Sequence, residues 1–138
     1  MKPKLPDLSR FELQCLRKLW KRGEATIRTI QDDLPRSPSY STVRKIFERL
    51  EAKGAVRRVR REGKAWVYRS EVPASDITRK EIRRLLDSLF DGSALSLVSH
   101  LADMKELSVE DLHEIEQTLG RKRGVGHAAS NRGGRKQP

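Results

Sequence analysis

What the chain has little of narrows its identity first. Cys15 is the 1 cysteine in 138 residues, so there is no intrachain disulfide, no CxxC pair and no thiolate cluster for a metal. The 3 histidines, His100, His113 and His127, lack ligand spacing, and neither metal nor cofactor is expected. Aromatic residues make up 5% of the chain, and their places suit packing rather than the open stacking platforms that read single-stranded RNA. No apolar run approaches the ~20 residues needed to cross a bilayer, and the polar, proline-containing N-terminus has no signal-peptide core. The expectation is a soluble, cytoplasmic protein without membrane insertion. Enzyme signatures are also missing: there is no phosphate-binding glycine loop, and no Ser or Cys is matched to a His by a motif. Neither a catalytic residue nor an enzymatic activity is expected.

Positive charge is what the chain has in excess, with 30 Lys and Arg against 19 Asp and Glu, a net +11. The excess is unevenly placed. Residues 1–73 hold 19 cations and 9 anions, residues 74–120 hold 5 and 10, and residues 121–138 hold 6 and none. A basic first region faces a polyanion, an acidic second region faces something else, and a basic tail follows. Nucleic acid is the leading polyanion. A membrane surface would need a basic helix with an exposed Trp/Phe/Leu face, which no segment offers. The break at Val72-Pro73 sets the predicted boundaries: 1–73, 74–120 and a disordered tail at 121–138.

The first region begins with a well-specified helix. Ser9 and Glu12 have capping-box spacing, Leu8 and Leu13 that of a hydrophobic staple, and Gly23 follows a Lys-Arg pair suited to a helix end. A second helix starts at Thr26, carries Ile27, Ile30 and Leu34 on one face, and stops at Pro35. The third, residues 39–54, organises the rest. Val43, Ile46, Phe47 and Leu50 fall at i, i+3, i+4 and i+7 and need another surface to cover them. The opposite face carries Ser41, Thr42, Arg44, Lys45 and Arg49, which is what a helix entering the major groove requires.

After Gly54 the period changes to that of strands. Residues 55–61 and 65–69 are rich in β-branched and aromatic side chains and flank Glu62-Gly63-Lys64, a hairpin turn. Three helices and a basic hairpin form the pattern of a winged helix. Ser41, Thr42, Arg44 and Lys45 are the candidates for base edges and adjacent phosphates, with Tyr40 beside them. Arg28, Arg49, Arg61 and Lys64 are assigned mainly to phosphate; Arg60, with Arg61 and Lys64 toward the hairpin tip, can reach a phosphate or the minor groove, and Arg57 and Arg58 could assist lower on the strand. Trp66 and Tyr68 share a face and read as packing residues.

The second region is helical. Ile82, Leu85, Leu86, Leu89 and Phe90 make a long apolar stripe; Ser93 can cap a helix with Leu97, Val98 and Leu101, and Ser108 one with Leu112, Ile115 and Leu119. Fewer than 50 residues with this much aliphatic surface have little interior of their own, so these faces are expected to form a homodimer. The fold expectation is mainly α with a small β-hairpin: an N-terminal winged helix-turn-helix and a C-terminal helical dimerisation region.

The stretches ELQCLRKLW (12–20), YSTV (40–43), RLEAKG (49–54), EGKAWVY (62–68) and LDSLFDGS (86–93) resemble the penicillinase repressor and methicillin-resistance repressor family of winged-helix transcriptional regulators. The resemblance covers Leu8 to about Leu119. It implies a repressor that binds double-stranded, pseudo-palindromic operator DNA as a homodimer. It also implies control of β-lactam-resistance genes or of a neighbouring membrane-bound sensor protease. In the best-known members an inducing cut falls at an Asn-Phe bond, where this chain has His100-Leu101, and the paired cysteines of a copper-responsive branch are missing. The competing expectation is a non-specific architectural DNA-binding protein, which would also combine a winged helix with a basic tail.

Overall fold

A computed structural model describes the backbone of residues 4–130 and the side chains of residues 4–122. It comprises two compact units, Met1–Arg83 and Arg84–Pro138. In the first, helix α1 (Arg10–Arg22) starts at a complete capping box. Ser9 Oγ accepts from the Glu12 N–H at 3.1 Å, and Glu12 accepts from the Ser9 N–H at 2.9 Å. Gly23, at φ 83°, closes the helix and leads into strand β1 (Glu24–Thr26). Thr26 then caps α2 (Ile27–Asp33), which ends where Leu34 turns extended before Pro35. Arg36 and Ser37, both at positive φ, reverse the chain into α3 (Tyr40–Ala52).

Strands β2 (Val56–Glu62) and β3 (Ala65–Ser70) form the expected hairpin, with Gly63 at φ 63° in its tight turn. The hairpin is not alone. β1 pairs antiparallel with β3, giving a three-stranded sheet in the order β1-β3-β2. Three residues carry no readable alternation, so sequence periodicity passes over such a strand. The sheet closes a core in which Leu16, Leu19, Ile30, Val43, Phe47 and Leu50 are fully buried. Phe47 meets the ring of Tyr68 edge-on at 5.0 Å, fixing α3 against β3. Trp20, half-buried, donates its indole N–H to Ser70 Oγ and the Val72 carbonyl, tying α1 to the end of β3.

One buried carboxylate holds the far end of α3. Glu12 is 2% exposed and accepts from Lys53 Nζ at 2.6 Å, and the same ammonium donates to the Asp7 carbonyl at 2.7 Å. Burial alone would raise the Glu12 pKa, but the Lys53 ammonium and the Ser9 N–H outweigh it and hold the carboxyl below its ordinary value. Helix α4 (Ala74–Leu89) is fastened in the same region. Lys80 pairs with Asp7 at 2.9 Å and donates to the Leu5 and Pro6 carbonyls, while Ile77 is buried in the first unit's core. Hence the compact division falls at Arg83/Arg84, ten residues beyond the break drawn at Val72-Pro73. Val72-Pro73 ends the sheet but not the packing.

The second unit holds the end of α4, α5 (Ala94–Asp103) and α6 (Val109–Ser130). Ser93 caps α5, and Ser108 and Asp111 cap the start of α6 reciprocally at 3.0 Å. Phe90 meets His100 at 5.2 Å, and Leu86 is buried. Little else is. No residue of α5 is buried, and Leu85, Leu89, Leu112, Ile115 and Leu119 are exposed, as is Ile82 on the first unit's side of α4. Leu97, Val98 and Leu101 are half-buried.

The expected start of disorder at residue 121 is corrected in part, because the helical backbone of α6 continues through Ser130. Extending an existing helix fixes one residue per hydrogen bond gained and needs no apolar face, so the lack of an apolar period did not mark an end. Residues 131–138 lie outside the described residues, as does the side chain of His127. Among the described residues no helix is long and apolar enough to cross a membrane, and no three His, Cys, Asp or Glu side chains cluster as metal ligands.

Candidate nucleic-acid interface

The site grows from the start of α3. Ser39 Oγ accepts from the Thr42 N–H at 3.1 Å and lies 2.8 Å from Thr42 Oγ1 and 3.2 Å from Ser41 Oγ, so the cap gathers both hydroxyls at the helix entrance. Burial of Val43, Ile46, Phe47 and Leu50 then dictates what faces outward: Ser41, Thr42, Arg44, Lys45, Glu48 and Arg49. Lys45 and Arg49 are exposed and make no salt bridge among the described residues. Arg44 is different. Its guanidinium pairs with Glu48, one turn on, at 2.5 Å.

The hairpin supplies the other wall. Arg58 stands opposite Tyr68 and Arg61 opposite Trp66, although strict alternation from Arg58 would send Arg61 to the other face. A register irregularity between Arg58 and Arg60 makes the difference, leaving Val59 as the extra residue of a bulge. Both guanidinium groups consequently lie over the Trp66 ring, at 5.2 Å for Arg58 and 4.7 Å for Arg61. The same register puts Arg60 opposite Val67, on the other face. There it pairs with Glu24 of β1 at 2.5 Å and with Glu62 at 3.4 Å. The Arg60 hydrogen bond holds the Glu24 carboxyl below its ordinary pKa, and the Glu24 hydrogen bond raises that of Arg60.

Between the two walls lies a groove of about 510 Å³. Arg28, Tyr40, Arg44 and Glu48 line it from the helices and Arg58, Lys64 and Trp66 from the hairpin, with Tyr68 at its base. Arg28 lies 5.6 Å over the Tyr40 ring, at the start of α2. Of the sequence candidates, the groove thus gathers Arg28, Tyr40, Arg44 and Lys64. Ser41, Thr42, Lys45 and Arg49 lie on the outer face of α3, Arg61 stands beside the groove on Trp66, and Arg60 is turned away. Arg58, expected only to assist lower on the strand, lines the groove, as do Trp66, expected to pack, and Glu48, which carried no expectation. The bulge that aims Arg58 has no local sequence signal, and a single acidic residue on a cationic helix face carries none either.

A cation-lined groove walled by the second helix of a helix-turn-helix and by a β-hairpin defines the class of winged-helix DNA-binding proteins. The fold of MarR from E. coli, solved as a mutant complexed with operator DNA, is alike, with a TM-score of 0.51 at 15% identity over 83% of this chain and 75% of that one. The family model described as penicillinase repressor matches residues 8–121, and the chain belongs to that family of DNA-binding transcriptional repressors, which are not enzymes. It is 26% identical to the penicillinase repressor of Bacillus licheniformis over 84% of this chain and 91% of that protein. It is also 26% identical to the methicillin resistance regulatory protein MecI of Staphylococcus aureus (strain N315), over 88% of this chain and 100% of that protein.

Proposed function

We propose that the chain acts in the cytoplasm as a homodimer that binds a pseudo-palindromic operator and represses transcription by occluding the promoter. The groove between α3 and the hairpin is the observation that carries this reading. Its cation lining suits a phosphate backbone, with α3 alongside in the major groove. Ser41, Thr42, Arg44 and Lys45 then approach base edges, while Arg28, Arg49, Arg58, Arg61 and Lys64 hold phosphates. Arg60, already paired on the opposite face, takes no direct part.

The exposed aliphatic faces of the second unit support the dimer. Leu89 is 70% and Leu95 76% exposed, Leu112 is exposed as well, and Leu107, Ile115 and Leu119 line an open groove of about 430 Å³ along α6. A second copy would cover them, and two-fold symmetry would set two recognition helices about one helical turn, roughly 10 base pairs, apart. The regulated genes in this reading serve β-lactam resistance or encode a membrane-bound sensor protease, as the names of its relatives suggest for the former. Footprinting on the DNA upstream of the protein's own gene tests it. A two-fold symmetric protected site supports the repressor, and equal retention of a scrambled duplex would favour an architectural protein.

A further inference from the structure

Among the described residues, Glu48 is the one carboxylate lining the α3–hairpin groove, where Arg28, Arg44, Arg58 and Lys64 supply the opposite charge. At 100° per residue, Ser41, Lys45 and Glu48 lie within about 60° of one another, on the side of α3 away from its buried stripe. Anything that receives this helix in a groove therefore meets Glu48. Helix stability does not account for the residue. The pair runs Arg44 to Glu48 from N- to C-terminus, the weaker order for an i,i+4 pair, and sets a carboxylate toward the negative end of the helix dipole. Both partners are exposed, so the pair itself stabilises the fold little.

For binding, the same carboxylate has two effects of opposite sign. It repels phosphate and occupies Arg44, which weakens attachment to any duplex. A carboxylate can also accept a hydrogen bond from the exocyclic N4 amino group of cytosine in the major groove, which no phosphate and no other pyrimidine edge offers. Resting on the operator-binding reading above, we infer that Glu48 is a specificity-determining residue. It disfavours non-cognate duplex and is accommodated where a cytosine N4 group faces it, releasing Arg44 to a neighbouring base or phosphate.

The test is selection from a randomised duplex library by the full-length wild-type chain and by Glu48→Gln and Glu48→Ala. Both substitutions fall on an exposed helix position that leaves the core untouched. The wild-type chain should enrich a two-fold symmetric site with cytosine at one fixed position per half-site. The variants should enrich the same spacing with that position relaxed, a discrimination worth about tenfold. They should also bind random duplex more tightly, with a salt slope steeper by about one per recognition helix as Arg44 becomes available. Retention of the cytosine preference in Glu48→Ala would overturn the assignment, whatever happens to affinity, while leaving the repressor reading intact. A wild-type chain that enriches no sequence would instead sink the repressor reading, and this assignment with it.

Discussion

Replacing Glu12 by Gln should destabilise the first unit by about 2 kcal/mol at pH 7, and the loss should fade in acid. The magnitude follows from what the amide keeps. Gln can still accept from the Ser9 N–H at the capping box, and Lys53 retains the Asp7 carbonyl at 2.7 Å. What disappears is the negative charge on the oxygen that also accepts from Lys53, in a side chain that is 3% exposed; a hydrogen bond between charged groups is worth about 1.5–3 kcal/mol. The ammonium, 37% exposed, recovers part of its hydration and favours the lower half of that range. The pH dependence has a definite sign. The folded-state pKa of Glu12 lies below its ordinary 4.5, so its stabilisation is complete above the unfolded value and is lost as pH falls through the folded one. Glu24 and Asp33, also depressed by arginine partners, are common to both proteins and cancel in the difference. Trp20 and Trp66 both lie in the first unit, so urea unfolding followed by tryptophan fluorescence reports on that unit alone. A wild-type-minus-variant difference that stayed constant from pH 7 to pH 3 would refute the assignment of Glu12 as an ionised anchor for α3.

Three further outcomes follow from other parts of the molecule. Leu89→Asp should convert a dimer to a monomer in sedimentation equilibrium, and an unchanged dimer would remove α4 from the proposed interface. Lys64→Ala should make the salt slope of DNA binding shallower by about 0.9 per copy, so about 1.8 per dimer, without altering base preference. A changed preference with an unchanged slope would move Lys64 from phosphate to base contact. Cys15 is fully buried, and that burial, with the Glu12 charge nearby, pushes its thiol up to about 12. It should resist a thiol reagent at pH 8 until urea unfolds the first unit, and rapid native labelling would contradict its placement in the core.

Local signals explain how much of this fold is legible in the sequence. The caps at Ser9, Thr26, Ser39 and Ser93 each act within three residues, so residue type and spacing suffice to place the helix starts. The buried stripe of α3 repeats every turn and reads equally well. Features made by distant partners do not. β1 exists through its pairing with β3, some 40 residues away, and Glu12 is buried because Lys53 meets it from the end of α3. Likewise Ile77, ahead of the apolar stripe that begins at Ile82, joins the first core, so the compact division falls within α4 and not at the proline break of Val72-Pro73. At the interface, α3 shows its cations by helical period, whereas the bulge at Val59 decides which hairpin arginines face the groove. For that reason Arg58 lines the groove and Arg60 is turned to the other face.

Sequence-specific binding by paired recognition helices can be read from a salt titration. Binding of the full chain to its own upstream DNA would be measured beside a scrambled duplex of equal length. A large preference for the native sequence should survive as salt rises, with a slope of about −9 if the five phosphate-directed cations of each protomer all engage. Equal affinity for both duplexes, falling together with salt, would contradict it.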